Sequence, residues 1–130
     1  MKNIQTYIMF MELPDGKILF KIGHSTDVKK RLSSHKTSNP FITETFVLNA
    51  DVETYLHCCF SKYRFIRRSE WFWMHDISIK DTMILIKDAF HYWCLEFSDY
   101  NNKKIIESAI AMEYQNKYLI NNKSVLDTYC

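Results

Sequence analysis

Four side chains that can handle a phosphate lie within the first 31 residues: the phenol of Tyr7, the ammonium of Lys21, the imidazole of His24 and the guanidinium of Arg31. A guanidinium holds a phosphate through paired N–H donors. An imidazole near it could donate to the same phosphate or to a leaving oxygen. The types and spacing of these residues predict a phosphate-handling site.

A β-hairpin must bring the first three of these residues together. The dipeptide Asp15-Gly16 separates two apolar runs, and it predicts a tight turn between strands near 4–12 and 18–23. The chain contains only two glycines, and both lie in this region. The second, Gly23, ends the second strand and frees the chain to enter a helix.

A basic helix positions the guanidinium. We expect this helix near 26–37, with Ser25 or Thr26 as its N-cap. Arg31 and His35 are four residues apart, so they share one face of the helix.

The rest of the chain completes a small α/β (α+β) fold. The dipeptide Asn39-Pro40 breaks the chain before a third strand, and apolar residues recur at helical spacing in the last third. We expect a three-stranded, mainly antiparallel sheet flanked by helices, with two extra C-terminal helices. The predicted domain is residues 1–76, with 77–130 as a helical extension packed on it. The further predicted elements are a strand near 41–48, a helix near 51–64 capped by Asp51, a short strand at 71–74, and helices near 77–97 and 99–120.

Over residues 5–74 the chain resembles the GIY-YIG nuclease superfamily. The resemblance is closest to its small phage and viral DNA-binding branch, which is related to the meiotically up-regulated gene domain. Lys21 stands where nuclease members usually have a tyrosine, and lysine is common there in the DNA-binding branch. The resemblance implies DNA contact, with metal-dependent phosphodiester hydrolysis as the expected activity. The matching elements are Gln5-Thr6-Tyr7, Lys21-Ile22-Gly23, Arg31, Glu53-Thr54-Tyr55-Leu56-His57 and Ser69-Glu70-Trp71-Phe72.

The resemblance gives the candidate catalytic residues specific roles. Tyr7 is the expected general base for a water molecule, and Lys21 would favour its ionised form. Arg31 would clamp the phosphate as charge grows on its oxygens, and His24 would donate to the same group. His35 matches a histidine of some members. The simpler alternatives are that Tyr7 is a packed strand aromatic, Lys21 a surface lysine and His24 an exposed strand-end residue.

Glu53 is the expected metal ligand. In nuclease members the matching helix glutamate holds a single divalent ion, which polarises the scissile phosphate and stabilises the leaving group. Mg²⁺ or Mn²⁺ would suit such a carboxylate. Alternatively, Glu53 is a helix N-terminal glutamate that the helix dipole stabilises.

Positive charge is concentrated in the first part of the chain. Residues 1–70 hold 11 Lys and Arg against 7 Asp and Glu, whereas residues 71–130 hold 6 against 8. This asymmetry predicts a surface that binds the phosphate backbone of a nucleic acid. DNA is the expected ligand, and RNA is not excluded. The alternative is solvated helix faces. The expected nucleic-acid-binding residues are Lys29, Lys30, Arg31, His35, Lys62, Arg64, Arg67 and Arg68.

Composition excludes several classes of protein. The four cysteines fit neither a disulfide framework nor a zinc ligand set, which favours an intracellular protein with reduced thiols. The N-terminus lacks a secretory pattern, and no apolar run is long enough to span a membrane.

The sequence leaves two other functions open. One is a catalytically silent nucleic-acid-binding or regulatory module that keeps Arg31 and the basic face. The other is a protein-interaction or inhibitory role, in which the region of Trp71 and the C-terminal helices contact a partner or a second copy of the chain.

Overall fold

The structure, a computed structural model, describes residues 3–65, 70–74, 77–97 and 103–119. The strands among these residues are β1 (Gln5–Glu12), β2 (Ile18–Ser25), β3 (Ile42–Leu48) and β4 (Trp71–Phe72), and the helices are α1 (Val28–Ser38), α2 (Glu53–Cys59), α3 (Ile79–Phe97) and α4 (Lys103–Tyr114). The strands form one antiparallel sheet in the order β3-β1-β2-β4. The predicted fold class is therefore confirmed. The sheet has four strands rather than three because the predicted short strand pairs with β2 at its edge.

The hairpin of β1 and β2 forms at the predicted turn. The backbone N–H of Gly16 donates to the carbonyl of Leu13 at 2.8 Å, which closes the turn. The φ angle of Gly16 is +89°, a conformation that residues with a side chain rarely adopt. The backbone of the turn therefore requires glycine at this position.

One face of the sheet packs against α1. Val28 and Leu32 of the helix form a buried cluster with Tyr7 and Met9 of β1, and Trp71 packs against it. Val28 and Leu32 therefore form the inward face of the helix. The packing orients α1 along the β1–β2 hairpin.

The N-cap of α1 is Asp27, which corrects the expectation that Ser25 or Thr26 would cap this helix. Because the helix begins at Val28, the Asp27 carboxylate accepts a hydrogen bond from the backbone N–H of Lys30 at 3.2 Å. The hydroxyl oxygen of Ser25 instead accepts from the backbone N–H of Asp27 at 3.0 Å. These two contacts stabilise the turn from β2 into α1.

The opposite face of the sheet has a buried aromatic centre. The rings of Phe10 and Phe20 lie 5.9 Å apart on adjacent strands, and Phe20 stacks on Phe72 at 5.3 Å. Ile8 and Ile22 are also buried there. This close packing holds β1, β2 and β4 in a fixed register.

The chain divides into two compact units, Met1–Glu53 with Lys62–Ile77 and Thr54–Ser61 with Ser78–Cys130. The domain boundary at residue 76 stays a prediction. Helix α2 is shorter than expected, since it begins at Glu53 rather than after an Asp51 cap, and a 3₁₀ turn, Ser61–Tyr63, follows it. None of the described helices has both the length and the apolar character needed to cross a bilayer.

The second unit is joined by hydrogen bonds from buried tyrosines. The hydroxyl of Tyr55 donates to the carbonyl of Ala89 at 2.7 Å, and that of Tyr114 donates to the Asp88 carboxylate at 2.7 Å. Burial raises the pKa of both phenols. These tyrosines are therefore neutral structural donors that connect α2, α3 and α4.

Candidate functional site

Tyr7 and Gly23 lie opposite each other in the β1–β2 pair. Tyr7 is buried, with 2% of its surface exposed. A Cβ atom at position 23 would overlap Cζ and the hydroxyl oxygen of Tyr7. The phenol ring therefore lies across the glycine, and the segments 5–7 and 21–23 meet at this contact.

The hydroxyl group of Tyr7 is hydrogen-bonded to Nε2 of His35 at 3.2 Å. The pKa of His35 is lowered, first because partial burial disfavours the imidazolium and then because Lys21 and Arg31 are positive. The negative charge of Glu70 raises the pKa of His35. A neutral imidazole carries one nitrogen that accepts a hydrogen bond. His35 is thus placed to accept the phenolic hydrogen of Tyr7.

Lys21 and Arg31 supply positive charge beside this pair. Lys21 lies opposite Trp71, and its Nζ is 3.0 Å from Oε2 of Glu70. Arg31 is exposed on α1, and its side chain makes no ion pair within the ranges that the structure describes. An entering phosphate would meet an available guanidinium fork there.

A second group of charged residues lies at the end of β2. Nδ1 of His24 is 2.5 Å from Oε2 of Glu53 and 3.6 Å from Oδ1 of Asp51. The side chain of Glu53 is 17% exposed, whereas that of Asp51 is 53% exposed. Glu53 is the first residue of α2, where the helix dipole also favours a negative charge.

The five predicted catalytic residues therefore fall into two sets. Tyr7, Lys21 and Arg31 form one set, together with His35. His24 and Glu53 form the other, because neighbouring residues of a strand face opposite sides of the sheet and His24 follows Gly23. The two sets are joined by the peptide between residues 23 and 24.

The second set suits a hard divalent ion that takes few protein ligands. Among the described residues there is no group of three or more His, Cys, Asp and Glu side chains that could hold a metal ion. Mg²⁺ is commonly bound by one or two carboxylates, with water and substrate phosphate completing its coordination. Glu53 and Asp51 near one imidazole nitrogen fit that pattern, and Mn²⁺ accepts the same oxygen ligands.

The predicted nucleic-acid-binding residues lie mainly on α1. Lys29, Lys30 and Arg31 are exposed, and Lys62 and Arg64 are exposed after α2. A surface cleft of about 460 Å³ runs along α1. Arg67 and Arg68 lie outside the described residues. The residues that line the cleft are Lys29, Leu32, Ser33, Lys36 and Thr37.

Sequence reasoning missed two charged members of the site, Glu70 and Asp51. From the sequence, Glu70 was only part of the matching segment 69–72, and Asp51 was only a helix cap. Glu70 lies beside Lys21 because the 71–72 strand pairs with β2, a long-range contact that no local sequence signal indicates.

The T5orf172 domain matches residues 5–87 of the 130-residue chain. The chain belongs to the T5orf172 domain family. Comparison with curated proteins and with solved structures found no match. Membership of the T5orf172 family suggests a nuclease-like, DNA-binding domain of phage type. The narrower resemblance to the GIY-YIG superfamily stays a prediction.

Proposed function

We propose that this T5orf172 domain is a GIY-YIG-type endonuclease that binds DNA and hydrolyses phosphodiester bonds with one divalent ion. The observation that carries the proposal is the contact of Tyr7 with Gly23 and His35, beside Lys21 and Arg31. A buried phenol hydrogen-bonded to an imidazole, next to two cations, can receive a negatively charged substrate.

The residues of the first set would bind the phosphate and activate water. Arg31 holds two phosphate oxygens, and Lys21 contributes a second positive charge. Tyr7 passes its phenolic proton to Nε2 of His35 as it takes a proton from the attacking water, so the pair acts together as the general base.

The second set would serve the leaving group. A divalent ion there would supply the positive charge that polarises the phosphate and stabilises the leaving oxygen. Glu53, with Asp51 beside it, would hold the ion. His24 is hydrogen-bonded to Glu53 and could donate a proton to the departing oxygen.

A catalytically silent DNA-binding module is the second candidate. The observation that favours it is the pairing of two expected catalytic groups with other protein residues. Lys21 contacts Glu70, and Glu53 contacts His24. Such a module would keep Arg31 and the basic side of α1 for binding.

A cleavage assay with Mg²⁺, Mn²⁺ or chelator on single-stranded, double-stranded, nicked and branched DNA tests the proposal. We expect Glu53→Gln to lower cleavage by about 100-fold or more, the scale of losing one preorganised charged group. Its DNA affinity should hold or rise slightly, because a negative charge near the phosphate is lost. Arg31→Ala should lower both cleavage and affinity, since the clamp acts before and during the reaction.

Glu44→Gln is the matched control for Glu53→Gln. Glu44 is exposed on β3, and its substitution removes the same charge. Equal cleavage by wild type and Glu53→Gln would exclude the metal role of Glu53. If the wild type bound DNA but cleaved none of these substrates with either metal, the silent module would be the correct function.

A further inference from the structure

Glu70 is an acidic residue placed among the cations of the first set. It immediately precedes β4, and the pairing of Trp71 with Lys21 brings it to the edge of β2. Its Oε2 lies 3.0 Å from Nζ of Lys21. The Lys21 side chain is only 14% exposed, whereas that of Glu70 is 57% exposed. The carboxylate thus contacts the ammonium from the solvent side.

The charge of Glu70 also acts on the imidazole that holds Tyr7. The positive charges of Lys21 and Arg31 lower the pKa of His35, and the negative charge of Glu70 raises it. Glu70 therefore acts on the same group of side chains that would receive a phosphate.

We propose that Glu70 occupies the position of a nucleic-acid phosphate at Lys21 and that a bound phosphate displaces it. This inference rests on the proposed DNA-binding function, and it makes Glu70 a residue that sets the affinity of the site. The Glu70 carboxylate keeps the largely buried ammonium of Lys21 paired while no nucleic acid is bound.

A phosphate can displace Glu70 because it makes more contacts at this place than the carboxylate does. An ion pair with an exposed carboxylate is weak, because water and salt compete with it. A phosphate at the same place could contact Lys21 and also fill the fork of Arg31, which pairs with no acid within the described residues. A single free anion would gain less binding free energy here than a phosphate that the nucleic acid holds in position.

The test compares DNA affinity in four variants by fluorescence anisotropy at low salt, without divalent metal. We expect Glu70→Gln to bind DNA about two- to fivefold more tightly than wild type. This range follows from the free energy that an ion pair with an exposed partner contributes. Glu44→Gln, which removes an equal charge from β3, should stay near the wild-type affinity. In the Lys21→Met background, Glu70→Gln should change affinity much less, because the ion pair is already absent.

A second measurement does not depend on DNA. An NMR pH titration should show that Glu70→Gln lowers the midpoint of His35, whereas Glu44→Gln leaves it unchanged.

The outcomes separate this inference from the proposed function. If the wild type binds DNA but Glu70→Gln gains no more affinity than Glu44→Gln, the displacement inference is wrong and DNA binding stands. An equal gain in the Lys21→Met background would also overturn it, because Glu70 would then act only by general repulsion. If the wild type binds no DNA while the His35 midpoint still moves, the proposed function fails and the inference fails with it.

Discussion

The two glycines of the chain meet different physical requirements. Gly16 has a positive φ angle, and no other atom lies within 4 Å of the position where its Cβ would be. Gly23 has no such backbone angle, but Tyr7 fills the space that a side chain would need. The first glycine therefore serves the turn, and the second serves the site.

The substitutions Gly16→Ala and Gly23→Ala should consequently have different effects. Gly16→Ala should lower the free energy of unfolding by about 1–2 kcal/mol through backbone strain and leave DNA affinity and cleavage unchanged. Gly23→Ala should displace the phenol of Tyr7, so it should reduce cleavage strongly. Urea unfolding and the cleavage assay measure both effects. Full activity in Gly23→Ala would show that the position of the phenol is unimportant.

The sequence predicted where individual residues lie better than it predicted their contacts. Tyr7, Gly23 and Arg31 belong to a local hairpin–helix unit, and the motif spacing alone locates them. The contact between Lys21 and Glu70 depends on the pairing of β4 with β2, nearly fifty residues apart in the chain. No local pattern encodes that contact.

At the scale of elements, the order of strands and helices followed from local signals. The Asp15-Gly16 turn, the break at Asn39-Pro40 and the apolar spacing of the later helices predicted the elements that the structure describes. The predicted ends of these elements were less accurate. Helix α2 stops at Cys59, short of the predicted end near 64, and a distant side chain, Gln115, donates to its last carbonyl group.

Gln115 shows how a distant side chain can cap the end of a helix. It is 1% exposed, and its Nε2 donates to the carbonyl of Cys59 at 3.0 Å and to the hydroxyl oxygen of Ser61 at 3.1 Å. Helix C-termini leave carbonyl groups without intrahelical partners, and buried ones need a donor. Gln115 is thus a C-terminal cap for α2.

Replacing this cap should destabilise the second unit. Gln115→Met keeps a similar volume but removes the donor, and we expect it to lower the free energy of unfolding by about 1–3 kcal/mol. The neighbouring exposed residue provides the control, since Asn116→Ala should change stability little. Urea unfolding followed by circular dichroism measures both variants. Equal stability of Gln115→Met and wild type would mean that the cap contributes nothing.

At the scale of the whole molecule, charge is distributed unequally along the chain. The net charge is only +2, but residues 1–70 carry the excess of Lys and Arg. The structure places Lys29 and Lys36 along one cleft of α1, two helical turns apart. The total charge alone gives no sign of a phosphate-binding surface, whereas two lysines along one cleft make this helix face a candidate for it.

The salt dependence of DNA binding can test whether that face contacts phosphates. Each phosphate contact contributes about 0.9 to the slope of log affinity against log salt concentration. Lys29→Ser with Lys36→Ser should therefore reduce the slope by about 1.8 and weaken binding to all DNA sequences alike. Lys80 and Lys87 supply a matched control, since they are exposed on α3 with the same spacing. Lys80→Ser with Lys87→Ser removes an equal charge and should leave the slope nearly unchanged. If the two pairs reduced the slope equally, general attraction would explain binding and α1 would not be the contact surface.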